Sequence, residues 1–175
     1  DATLDSNYAY LSATNQLLIR RNVYEGGSPY QLIKVNIDTK EVNIIPSESY
    51  KNIIAGDGKL FGLKRIFDNT LLSINLVKIN PENGSIISTI ETFERIENAP
   101  QGDETGVSGI LYSQATNQLL IPRKILFTTN NASDQLIKIN ASSGAKDIIT
   151  INHYESLAVG KNGRLFAVKR GYTDN

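Results

Sequence analysis

Residues 14–21 read TNQLLIRR, and residues 116–123 read TNQLLIPR. A single difference, Arg20 against Pro122, separates the two copies. The match extends beyond them. QLIKVN (31–36) returns as QLIKIN (135–140), and GDGKLFGLKR (56–65) returns as GKNGRLFAVKR (160–170). The chain is therefore internally repeated, with small loop insertions between copies. Repetition is read first because a repeat unit buries its apolar surface against its neighbours and not within itself.

Each long repeat divides again. QLIKVNIDTKEVNII (31–45), NLVKINPENGSIIST (75–89) and QLIKINASSGAKDII (135–149) are three versions of one strand–turn–strand unit. NYAYLSATNQLLIRR (7–21), KNIIAGDGKLFGLKR (51–65), GILYSQATNQLLIPRK (109–124) and SLAVGKNGRLFAVKR (156–170) are four versions of a second. The apolar runs are short and rich in Ile, Val, Leu, Phe and Tyr. Turn formers punctuate them at Asn15, Asp57-Gly58, Asn117 and Asn162-Gly163. No segment sustains the 3.6-residue apolar period of a helix.

Four antiparallel strands per repeat predict an all-β fold, a β-propeller of four-stranded blades. The second strand of each blade (17–19, 60–63, 119–121, 165–168) is apolar without alternation, as a strand covered on both faces must be. The repeats place blades at about 7–46, 50–93 and 105–151, with a partial blade at 154–172. Three and a half blades do not close a ring. The expectation is that a propeller remainder or another subunit covers the open blades.

LVKINPENGSI (76–86) and ESLAVGKNGRLFAV (155–168) resemble the paired hairpins of the NHL, YVTN and quinoprotein-like propellers. The likeness covers nearly the whole chain. It implies a fold and not an activity, because those families contain enzymes, ligand carriers and interaction scaffolds.

Composition narrows the partners. Eighteen Lys and Arg balance eighteen Asp and Glu, which argues against duplex DNA. No apolar run reaches the roughly 20 residues of a membrane helix. Cysteine is absent, so disulfides and Cys-ligated metals are excluded. Methionine is also absent, even at position 1, which suggests a processed or truncated product and, with the family resemblance, a secreted, periplasmic or surface-exposed location.

Every second strand ends in two adjacent cations: Arg20-Arg21, Lys64-Arg65, Arg123-Lys124 and Lys169-Arg170. Charges are excluded from a packed blade interface, so the doublets are expected where the second strand enters its following loop. There they would form a basic arc on one propeller face, with loop aromatics nearby. The candidate ligand-binding residues are Arg21, Arg65, Arg123 and Arg170, together with Tyr50, His153 and Tyr154 near the funnel mouth. Such a face suits an anionic glycan or an acidic protein segment. Acidic residues of 94–104 lie in the longest loop and are expected to offset part of the arc; they also offer oxygen ligands to Ca²⁺, although their spacing matches no known calcium loop.

These features favour a non-catalytic domain that binds a ligand or partner and needs no cofactor. The alternative is part of a propeller enzyme, a hydrolase, lyase or sugar oxidoreductase with its site at the central funnel. His153, the only histidine, is its one candidate base.

Overall fold

The computed structural model describes residues 8–22, 30–68, 71–96, 105–125, 133–152, 154 and 156–168. Among these residues there are β-strands and no helix. The first blade holds β1 (Tyr8–Leu11), β2 (Gln16–Asn22), β3 (Tyr30–Asn36) and β4 (Val42–Pro46). The second holds β5 (Tyr50–Gly56), β6 (Lys59–Asp68), β7 (Leu71–Ile79) and β8 (Ile86–Phe93). The third holds β9 (Leu111–Ser113), β10 (Gln118–Lys124), β11 (Ser133–Asn140) and β12 (Lys146–Asn152). A two-stranded fourth sheet pairs β13 (Ser156–Val159) with β14 (Leu165–Val168). Each four-stranded sheet runs in simple sequence order, and every pairing is antiparallel.

Local chemistry fixes the turns. Asp57 and Gly58 both take positive φ, 51° and 65°, as a two-residue hairpin turn requires. Asn15 and Asn117 take the same left-handed conformation, 51° and 50°, at equivalent places in the first and third blades. The third strand of each full blade leads to an asparagine, at Asn36, Asn80 or Asn140. Its side-chain oxygen accepts from backbone amides of the next turn: Asp38 and Thr39, Glu82, and Ser142 and Ser143. This self-made turn is why the "N" of QLIKVN recurs three times.

The sheets stack in chain order. Ala9, Leu11, Leu18 and Leu32 of the first blade meet Tyr50, Ile53, Leu60, Val77 and Ile79 of the second. Phe61, Leu63, Ile74, Leu76 and Phe93 on the other side of the second blade meet Val107, Ile110, Leu119, Ile121, Ile137 and Ile139 of the third. Leu120 and Leu136 on the far side of the third meet Leu157 of the fourth. Adjacent residues of one strand thus enter different cores, Leu60 into one and Phe61 into the next. That accounts for the missing alternation in LFGL. Each fully buried Leu, Ile or Phe contributes about 1.5–3 kcal/mol, so neither face of the second blade would tolerate water.

The first strands lie innermost: β5 touches both β1 and β9, and β9 touches β13. The result is a fan of sheets with their inner edges together, an all-β, propeller-like fold of four-stranded antiparallel blades. Two faces of the fan carry exposed apolar side chains among the described residues. Tyr8, Tyr10, Val42 and Ile44 are exposed on the outer side of the first blade, and Phe166 and Val168 are exposed on the fourth.

Candidate functional site

Antiparallel strands put the β2–β3 loop and the corresponding loops of later blades at one end of the fan, with the blade-to-blade crossovers. The described second-strand cations, Arg20, Arg21, Lys64, Arg65, Arg123 and Lys124, lie at this end, but strand register separates them. Arg21, Lys64 and Arg123 pair with Gln31, Asn75 and Gln135, and are true equivalents. Arg65 pairs with Ile74, one position further along, and so projects from the opposite side of its sheet. Arg21, Lys64 and Arg123 thus share one side of their sheets, and Arg65 projects from the other.

Lys64 and Arg123 brace crossovers. Lys64 Nζ lies 3.0 Å from the Glu48 carboxylate, in the segment joining the first and second blades. Arg123 donates to the carbonyl oxygens of Thr105 (3.0 Å) and Glu94 (2.8 Å), which flank the crossover from the second blade to the third. Its guanidinium also stands 5.9 Å from the centre of the Phe93 ring. Burial pulls the Arg123 pKa below the ordinary guanidinium value, opposed by Glu91 and Glu94. Arg21 is exposed. Arg65 is half-buried, and its Nε has no hydrogen-bond partner among the described residues.

Tyr50 and Tyr154 are wedges between blades. Tyr50 is 1% exposed, packs in the core shared by the first and second blades, and donates its hydroxyl to the Gly84 carbonyl at 3.0 Å. Its backbone carbonyl accepts from the Arg20 guanidinium. Tyr154 packs against Leu120, Leu136 and Leu157, the same role one interface further on. Burial raises both phenol pKa values, helped by Glu48 at Tyr50 and by Asp134 at Tyr154. Tyr50 therefore offers no ring face to a ligand at the funnel mouth, a correction to its place among the candidates. His153 and Arg170 lie outside the described residues, as do Glu97, Asp103 and Glu104 of the acidic loop. Among the described residues no group of three or more His, Asp or Glu is placed to hold a metal ion.

The opposite end of the fan carries a different arrangement. The inner strands and their hairpin turns from three blades surround a cleft of about 640 Å³. Tyr10 and Ser12 come from the first blade, Gly56, Asp57 and Gly58 from the second, and Tyr112, Gln114 and Asn117 from the third. Tyr112 lies flat enough on the second blade that a Cβ at Gly56 would meet its ring at 2.5 Å. Only glycine at 56 admits the ring there.

A chain of polar contacts holds the cleft's third-blade wall to its floor. Tyr112 donates to Asn117 Oδ1 (3.0 Å), and Asn117 Nδ2 donates to Ser142 Oγ (3.0 Å). Ser142 in turn donates to the Asp57 carboxylate (3.0 Å), which also receives Lys59 Nζ (2.9 Å). The hydrogen bonds from Lys59 and Ser142, with the charge of Lys59, hold the Asp57 carboxyl below the usual aspartate range. Burial, and then the negative charge of Asp57, raises the Tyr112 phenol. At neutral pH the cleft thus presents the Asp57 carboxylate, the neutral Tyr112 phenol, amides and hydroxyls. The first blade repeats part of the design, with Tyr10 donating to Asn15 Oδ1 at 2.7 Å. These residues are not among the ligand-binding candidates read from the sequence, where Asp57, Gly58 and Asn117 figure only as turn formers. The available signal was the tyrosine five positions before asparagine in both YLSATN and YSQATN.

Neither a protein-family model nor a curated protein matches the chain. Solved structures do, among them a Bacteroides uniformis protein described as a candidate 6-phosphogluconolactonase, at 10% identity and a TM-score of 0.44. That match covers 93% of this chain and 63% of the other, so the chain spans less than two thirds of its neighbour's length. The likeness says nothing of activity. The fold rests on the order and stacking of the sheets.

Proposed function

We propose that this chain is a non-catalytic binding domain whose ligand rests in the hairpin-turn cleft, between Tyr10 and Tyr112 and over Asp57. The observation that carries the reading is the convergence of three blades' turns on one cleft, with its polar groups already fixed by Tyr112, Asn117, Ser142 and Asp57. Groups held in place before binding lose little freedom on binding. Phenol faces beside a carboxylate and amides suit a neutral, polyhydroxylated ligand such as a sugar. An anionic ligand is disfavoured there by the charge of Asp57.

Less supports the anionic-glycan or acidic-partner reading at the other end, since Lys64 and Arg123 are engaged with the crossovers. An enzyme reading also has less support. Asp57 is held ionised by its partners and Tyr112 is held neutral, so neither is poised to exchange a proton near neutral pH.

The test is amide shift mapping of the chain against a panel of neutral and anionic oligosaccharides. Neutral sugars are expected to move the amides of Gly56, Asp57, Gly58 and Asn117, and Asp57→Asn or Tyr112→Ala is expected to weaken binding about tenfold, the loss of one good contact. Perturbations confined to Arg21 and Lys124 would place the ligand at the basic end instead.

A further inference from the structure

The third strands of the three full blades each carry a lysine at the same place, in QLIKVN, NLVKIN and QLIKIN. Lys34 pairs with Leu18, Lys78 with Phe61 and Lys138 with Leu120. Those three apolar partners face the next sheet of the fan. Each lysine therefore projects into a blade interface.

At the first interface the following blade supplies an acid. Lys34, its side chain 12% exposed, pairs with the Glu82 carboxylate in the β7–β8 turn. The β11–β12 turn beside Lys78 has the same backbone. Asn80 and Asn140 each accept from the glycine amide four residues on, at 2.9 Å, and Gly84 and Gly144 take φ of 72° and 73°. The side chains differ. Ser142 stands where Glu82 stands, and it gives its hydroxyl to Asp57. Lys59, two residues before Phe61, stands where the first blade has Gln16, two residues before Leu18. From the first interface to the second, an acid is lost and a cation is gained.

The two cations meet in a groove of about 330 Å³ between the second and third blades. Lys59, Lys78 and Ser88 line one wall, and Ser142, Ser143 and Gly144 line the other. Nearby carboxylates are already engaged: Asp57 holds Lys59 at 2.9 Å, and Glu91 holds Lys146 at 2.7 Å across the same interface. Lys78 has no ion pair or hydrogen bond among the described residues, and its cross-strand neighbour Ser88 carries a hydroxyl and no charge. A half-buried cation in a groove focuses its field on whatever enters.

We infer that this groove is an oxyanion site, which takes the phosphate or sulfate group of a ligand against Lys78 and Lys59. The incoming group supplies to Lys78 the negative charge that Glu82 supplies to Lys34. An ammonium has three N–H donors, so Lys59 can keep Asp57 while donating to the oxyanion. The hydroxyls of Ser88 and Ser143 bring donors from both walls, which suits a tetrahedral group. The site is separate from the hairpin-turn cleft and does not depend on what the cleft binds.

Titration with inorganic phosphate, sulfate and acetate, each against chloride at equal ionic strength, tests this by NMR. Phosphate or sulfate is expected to give saturable shifts at the amides of Ser88, Ser143 and Gly144 and at the Lys78 Cε, with one common midpoint. Lys78→Gln is expected to bind at least about tenfold more weakly, the loss of one charged contact. Lys34→Gln, whose lysine already has a carboxylate, is expected to bind as the wild type does. Amide dispersion checks that both variants fold, and the Lys78 Cε midpoint in the wild-type chain answers the question without either. Shifts no larger than those with chloride overturn the inference, and so does equal weakening by the two variants, the mark of diffuse charge attraction. Acetate bound as tightly as phosphate and sulfate overturns the tetrahedral assignment.

Discussion

The first and third blades are nearly the same text in opposite surroundings. TNQLLIRR and TNQLLIPR form the same strand with the same pairing, Leu17 with Val35 and Leu119 with Ile139. Leu119 and Ile121 are fully buried because the second blade lies against them, whereas Leu17 and Ile19 are only partly covered. The repeated phrase specifies a sheet and its turns. Burial is supplied by the adjacent blade, so equal residues carry unequal shares of the stability.

The sharpest way to break that comparison is a matched pair of truncations. Ile121→Ala is expected to cost about 2–5 kcal/mol by urea unfolding, the range for a buried Ile cut to Ala, and Ile19→Ala about 1 kcal/mol. Equal losses would mean that the two faces are equally covered in solution. Next in size is Gly56→Ala, where a methyl forced into the Tyr112 ring is expected to cost about 2 kcal/mol. The same change in a Tyr112→Ala background should cost much less. Additive losses would show that Tyr112 does not rest on Gly56.

Smaller effects sharpen the contrast between the cations. Arg123→Ala removes two hydrogen bonds to crossover carbonyls, and about 1–2 kcal/mol is expected. Lys64→Ala removes a partly exposed ion pair with Glu48, for about 0–1 kcal/mol. The smallest change concerns Asp57. Its folded pKa lies below the unfolded one, so its contribution is complete above the ordinary aspartate pKa and is lost as pH falls through the lowered value. Carboxyl NMR titration should find its midpoint below that of a free aspartate, and Lys59→Ala should move the midpoint up. A midpoint unaffected by Lys59 would remove the contact from solution.

The sheets were legible in the sequence because pairing and burial leave different marks. Recurrent turn residues such as Asn36, Asn80 and Asn140 fix hairpins, and unbroken apolar runs such as LFGL record two covered faces. The register distinguishes the cations where the text does not. Lys64-Arg65 and Arg123-Lys124 look interchangeable as text, yet Arg123 corresponds to Lys64, and one residue of offset turns a strand side chain to the other face. The cleft is not legible in the sequence because Asp57 and Asn117 read there as turn formers alone. Their left-handed backbone serves the turn, while their side chains bind Lys59, Ser142 and Tyr112. Tyr50 and Tyr154 pack at successive blade interfaces, and sequence alone is blind to whether such a ring faces solvent or a neighbouring blade.

Sequential stacking of the sheets is tested most directly by cross-linking in a chain that contains no native cysteine. Cysteines replacing Asp57 and Ser142, whose side chains touch across the second and third blades, should be joined rapidly by a short thiol cross-linker. Cysteines replacing Val42 and Ile148, on the first and third blades, should remain unlinked within one chain. The reverse pattern would set the first sheet against the third, and the fan would be contradicted.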